Sequence, residues 1–141
     1  MKEDLKIKLY SLTLDCPDPT LLAKFYAALM EWDVISHDED YAFAYAPGTT
    51  QGAYPIILFQ RNPDYVPPVW PDEPEAQQQM AHIDLAVNDL EAAVRHALDG
   101  GATFAGAQFS ELWRTMLDPA GHPFCLCQMK EVMERADFAL L

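Results

Sequence analysis

Residues 11–18 read Ser-Leu-Thr-Leu-Asp-Cys-Pro-Asp, and residues 82–89 read His-Ile-Asp-Leu-Ala-Val-Asn-Asp. Each run alternates apolar and polar residues and ends on an Asp. Period-two alternation is the mark of a strand with one buried face. An apolar stripe at helical spacing follows each run: Leu21, Leu22, Phe25 and Leu29 after the first, and Leu90, Ala93, Val94, Ala97 and Leu98 after the second. The chain therefore repeats a strand–helix unit with an offset of 71 residues (82 less 11). A single such unit leaves one sheet face open, and two copies side by side can enclose a pocket.

The helix boundaries follow from capping. Asp18-Pro19 supplies an N-cap and a proline at the first helical position, where no donor is lost. Asn88-Asp-Leu-Glu91 resembles a capping box, and Gly100-Gly101 ends the second helix. In the first unit, Lys8–Cys16 is the opening strand, and Trp32–Ser36, Tyr41–Ala46 and Pro55–Gln60 read as three more. In the second, Ala81–Val87 opens. About Thr103–Ala105, Leu112–Leu117 and Pro123–Gln128 follow, with Asp118-Pro-Ala-Gly121 as a type I turn. Each unit is βαβββ, an α+β arrangement. Ile57-Leu-Phe-Gln60 lines up with Cys125-Leu-Cys-Gln128 at an offset of 68 (125 less 57).

Residues 61–80 hold five prolines, which exclude a helix or a central strand. This Pro-rich stretch is read as the joint between unit one (about 8–60) and unit two (about 81–128) of a single 141-residue domain. Tyr65 and Trp70 in it are read as pins that hold the loop to the surface. The tail, 129–141, has Met129, Val132, Met133 and Ala136 at helical spacing, as for a short helix docked on the body or on a partner subunit.

The net charge is −13, from 9 basic and 22 acidic residues, which argues against nucleic acid and anionic membranes as partners. Residues 1–8 lack the apolar core of a leader, and no apolar run has the length of a membrane span, so a cytoplasmic protein is expected. Cys16, Cys125 and Cys127 read as free thiols in a reducing compartment. A strand points Cys125 and Cys127 to one face, so a metal or redox pair there is the alternative.

His82 and Asp84 share a strand face, and a carboxylate beside an imidazole suits proton transfer. The competing reading is that His82 hydrogen-bonds a neighbour and shapes a pocket. His37 and His96 read as solvated and His122 as a structural turn residue. Trp113 and Phe59 are candidate pocket walls. Trp113 shares parity with Thr115 and Leu117, opposite Arg114, and the inward parity is open.

Two βαβββ units resemble the vicinal oxygen chelate superfamily, which includes glyoxalase I, extradiol dioxygenases, methylmalonyl-CoA epimerase and bleomycin- and fosfomycin-resistance proteins. The run Asp15-Cys-Pro-Asp-Pro19 leading to Ala23-Lys-Phe-Tyr26, the run His82-Ile-Asp-Leu85, and Asp118-Pro-Ala-Gly-His-Pro-Phe124 resemble its glyoxalase-like branch. The resemblance spans residues 8–128. It implies that each sheet curls into an open barrel, with its helix on the convex face and a pocket on the concave one. Leu12, Leu14 and Cys16, and Ile83, Leu85 and Val87, would then lie under the helices. Ser11, Thr13, Asp15, His82, Asp84, Ile57, Phe59, Cys125 and Cys127 would face the pocket.

The resemblance also implies four metal-ligand positions, which fall on Ser11, His82, Ile57 and Cys125. Only His82 is a good ligand, so no cofactor is expected, and a rearranged divalent site of His82, Asp84 and Cys125 is the alternative. The expectation is a small-molecule-binding protein that dimerises with itself, with Ser11, Thr13, Asp15, Phe59, Trp113 and Cys127 contacting an organic ligand. The alternative is a lyase, isomerase or dioxygenase that uses the rearranged metal site or His82/Asp84 acid–base chemistry. A third reading is a module whose sheets serve mainly to dimerise.

Overall fold

The opening strand β1 (Ser11–Cys16) runs into helix α1 (Pro19–Met30), and strands β2 (Asp33–Ser36), β3 (Tyr41–Tyr45) and β4 (Ile56–Arg61) follow. The order then repeats with β5 (Ile83–Val87), α2 (Leu90–Gly100), β6 (Thr103–Phe104), β7 (Trp113–Leu117) and β8 (Pro123–Gln128). This computed structural model describes residues 4–7, 9–48 and 55–128. The proposed tail helix lies outside the described residues. The chain divides into two compact units, Met1–Tyr65 and Val66–Leu141, so most of the Pro-rich joint belongs to the second.

Each unit holds one four-stranded mixed sheet, ordered β1-β4-β3-β2 and β5-β8-β7-β6. The first strand pairs parallel with the last, and the remaining ladders are antiparallel. A parallel pair needs a crossover connection, and the helix begins it in each unit. The expected α+β, twice-βαβββ architecture is the observed one.

Helix α1 starts where its sequence directs. The Asp18 carboxylate accepts the Leu21 N–H at 3.2 Å, with Pro19 next in line. Leu22, Ala23, Phe25, Tyr26 and Ala27 bury the helix face. Tyr26 stacks on Phe59 with ring centroids 5.7 Å apart, and Ala42 and Ala44 leave room for them in β3. A buried large apolar side chain contributes about 1.5–3 kcal/mol, so this cluster anchors unit one.

Helix α2 is capped by Asp89, whose carboxylate accepts the Ala92 N–H at 3.1 Å. This corrects the capping-box expectation, which began one residue earlier at Asn88. Asn88 is held differently: its carbonyl accepts Gln128 Nε2 at 2.9 Å, while Gln128 Oε1 accepts the Leu90 N–H at 3.2 Å. The last strand thus clamps the start of the helix. Gly101, at φ +115, closes the other end with its N–H on Ala97 and Leu98 carbonyls. Among the described residues no helix is long and apolar enough to cross a membrane.

Strand register decides which side chains share a face. In unit one Leu12 pairs with Ile57 and Leu14 with Phe59; Phe59 also pairs with Ala42. Paired residues point the same way, so Ile57 and Phe59 lie on the α1 side. Phe59 is fully buried there. The expectation that Ile57 and Phe59 face a pocket is therefore wrong. The residues opposite Ser11, Thr13 and Asp15 are Ile56, Leu58 and Gln60.

Candidate functional site

The concave face of unit two is built by register. Asp84 pairs with Cys125 and Ala86 with Cys127 across the parallel ladder. Thr115 pairs with Cys125 and Trp113 with Cys127 across the antiparallel one. Trp113 and Thr115 therefore join Asp84, Cys125 and Cys127 on one face, and this is the inward parity of β7. The opposite face carries Phe124, Leu126 and Met116, all buried. Arg114 also points away, donating to the carbonyls of Ser110 at 2.7 Å and Trp113 at 2.9 Å.

The joint loop contributes the remaining wall. Pro67 packs against Gly121, where an added Cβ would lie 2.9 Å from Pro67 Cβ. Gly121 has φ +92, so both its conformation and this close approach require glycine. The Val69 N–H donates to the Gln77 carbonyl at 2.8 Å, closing the loop on itself. Between these ties stands Trp70, its ring 6.5 Å from that of His82. Trp70 is thus a pocket wall and not merely a surface pin. Tyr65 donates its N–H to the Asn62 carbonyl in unit one.

Trp70, His82, Asp84, Phe109, Trp113, Thr115, Cys125 and Cys127 line a pocket of about 360 Å³. That is at the small end of the roughly 300–1,000 Å³ typical of small-molecule sites. His82 Nε2 lies 3.2 Å from Asp84 Oδ1, with the two side chains 37% and 63% exposed. At that exposure water screens the pair strongly. Sequence reasoning overlooked Thr115 as a site residue, although its antiparallel partner Cys125 was already placed inward. Phe109 sits in the β6–β7 loop and left no pattern to read.

The sulfur atoms are held as thiols. Burial pushes the Cys125 thiol up; the Thr115 hydroxyl, 3.5 Å from Sγ, opposes this, and Asp84 adds to it. Burial also drives Cys127 up to about 11, assisted by the charges of Asp84 and Cys125. A protonated thiol is a weak nucleophile and a poor metal ligand.

Ser11, Thr13 and Asp15 occupy the unit-one face away from α1. Ser11 and Thr13 hydroxyls lie 3.3 Å apart, and Asp15 accepts Gln60 Nε2 at 3.4 Å and Asn62 Nδ2 at 3.1 Å. Elsewhere, Asp118 Oδ2 meets His122 Nδ1 at 2.8 Å inside the tight turn, which suits the structural role expected of His122.

Comparison with known families matches the glyoxalase-like domain across residues 11–127. The chain belongs to the glyoxalase-like family. This glyoxalase-like chain also shares its fold with the trypanothione-dependent glyoxalase I of Leishmania major. That match has a TM-score of 0.63 at 15% identity, covering 96% of each chain. A glyoxalase/bleomycin resistance protein/dioxygenase family enzyme from Burkholderia phytofirmans PsJN matches with a TM-score of 0.60 at 14% identity, over 85% of this chain and 97% of its own. No curated protein sequence matches the chain.

The donor set expected for a metal in such a fold is not met. The Leu12–Ile57 pair of unit one corresponds to the Ile83–Phe124 pair of unit two. The last-strand offset is therefore 67 (124 less 57), and Cys125 corresponds to Leu58 rather than Ile57. Neither Leu58 nor Ile57 can bind a metal, and Ser11 is a weak donor. What remains is the local cluster of His82, Asp84 and Cys125, whose ligand atoms lie within 4.8 Å of one another. Burial and the Asp84 charge both disfavour the Cys125 thiolate that a metal would need.

Proposed function

We propose that this glyoxalase-like protein binds a small organic molecule in the unit-two pocket without a resident metal. The observation that carries this reading is the convergence of Trp70, Phe109 and Trp113 on a 360 Å³ pocket whose polar end is His82 with Asp84. Aromatic faces supply contact area at low conformational cost, and a few fixed polar groups orient what binds. The broken donor set and the protonated thiols support binding over metal-assisted chemistry.

Two tryptophans in the wall make intrinsic fluorescence the direct reporter. Titration of a fragment collection should yield compounds that both quench emission and raise the melting temperature. Both responses should be lost in Trp113→Ala and weakened in Trp70→Ala, with the variants still folded by circular dichroism. Ligands whose binding ignores both substitutions would refute this pocket as the site.

A further inference from the structure

The pocket wall is unusual in its charge. Three aromatic rings line it, and Asp84 is the only carboxylate among its lining residues. No lysine or arginine lines it among the described residues. Arg114, next in sequence to Trp113, points to the other sheet face and spends its guanidinium on two backbone carbonyls. The whole chain adds a net charge of −13, so the surrounding potential is negative as well.

An anion entering this space meets a like charge and no fixed positive partner. A cation meets a carboxylate and two indole rings, the aromatic side chains whose faces attract cations best. We propose that the pocket selects a small organic cation: a quaternary or tertiary ammonium, or a heteroaromatic cation, carried on an apolar body. This rests on the small-molecule reading above and adds the ligand's chemical class. The thiols sense the same field, since Asp84 contributes to the upward displacement of both Cys125 and Cys127.

Three probes test it: trimethylanilinium, its neutral isostere tert-butylbenzene, and 4-tert-butylbenzoate, which adds an anionic carboxylate to that isostere. Each is titrated into the full chain at pH 7.5 and low salt, read by tryptophan fluorescence and calorimetry. The expected order is cation, then neutral, then anion, with the cation favoured over its isostere by about tenfold. Asp84→Asn should shrink that ratio to about threefold, because only the ring contribution is left. Trp113→Ala should abolish binding of the cation. Equal or tighter binding of tert-butylbenzene, or preference for the benzoate, overturns the cation assignment while leaving the pocket reading intact. Failure of all three to bind overturns the cation assignment and leaves the pocket reading to the fragment titration, whereas binding indifferent to Trp113→Ala overturns both. Trp113→Phe keeps a ring of weaker quadrupole in place and should retain an intermediate cation preference, which separates loss of the ring face from loss of fold.

Discussion

Tyr26 and Phe59 stack with their ring planes 18° apart, joining α1 to the last strand of the first sheet. Phe59 is fully buried and pairs with Leu14 on one side and Ala42 on the other. The ring is therefore part of the unit-one core. Phe59→Ala should cost about 3–5 kcal/mol, the range for emptying a large aromatic site. Urea denaturation measures that loss. Under conditions where the variant is folded, ligand affinity at the unit-two pocket should be unchanged. A large drop in affinity with stability preserved would assign Phe59 to a site after all.

The order of elements was legible because each strand–helix opening carries both an alternation and a cap. The inward phase of β4 was not. Ile56, Ile57, Leu58 and Phe59 are apolar at every position, so alternation offers no phase, and the match of Ile57 to Cys125 is one residue out of register. In β8 the apolar Phe124 and Leu126 alternate with the sulfurs of Cys125 and Cys127, and there the phase was read correctly. The α2 cap was displaced by one because Asn88 and Asp89 are both good capping residues. The place of Trp70 is illegible in the sequence for a different reason. Its position depends on Pro67 meeting Gly121, a contact 54 residues apart in sequence (121 less 67) that no local pattern encodes.

The turn after β7 should be a stability determinant. Asp118 has a fully buried side chain. Its Oδ1 accepts the N–H groups of Ala120 at 2.9 Å and His122 at 3.0 Å, and its Oδ2 meets the His122 ring. Asp118→Ala strands these groups and should destabilise the protein by about 2–4 kcal/mol in a denaturation experiment. Asp118→Asn keeps one acceptor oxygen and should cost less. Equal losses for the two variants would show that packing, not hydrogen bonding, sets the role of the residue.

The thiol of Cys127 provides a pH signature. Its value of about 11 stands above the ordinary 9.0, with burial the main cause and Asp84 next. The fold therefore favours the protonated thiol. That contribution to stability is complete below pH 9 and is lost as pH rises from about 9 to about 11. Below pH 9, iodoacetamide should modify Cys127 about 10- to 100-fold more slowly than an unstructured thiol, since the thiolate is the nucleophile. Asp84→Asn should speed the reaction by removing a negative neighbour. Tandem mass spectrometry separates modification at Cys127 from that at Cys125. Rapid modification of native Cys127 at pH 8 would contradict the assigned environment.

Metal content tests the metal-free part of the functional reading. The His82, Asp84 and Cys125 donor atoms are close enough to share an ion, but binding requires a deprotonated thiol. Burial and Asp84 oppose that deprotonation at Cys125. The first-unit counterparts Ser11 and Leu58 supply one weak donor and none. Protein purified without chelator should therefore carry zinc, nickel, iron or manganese well below one equivalent by elemental analysis. Added zinc should bind weakly, more tightly as pH rises, with proton release visible by calorimetry in buffers of different ionisation enthalpy. Stoichiometric metal that survives dialysis and disappears in His82→Ala and Cys125→Ser would reverse the reading. The pocket would then be a three-donor metal centre with its aromatic walls arranged around the open coordination position.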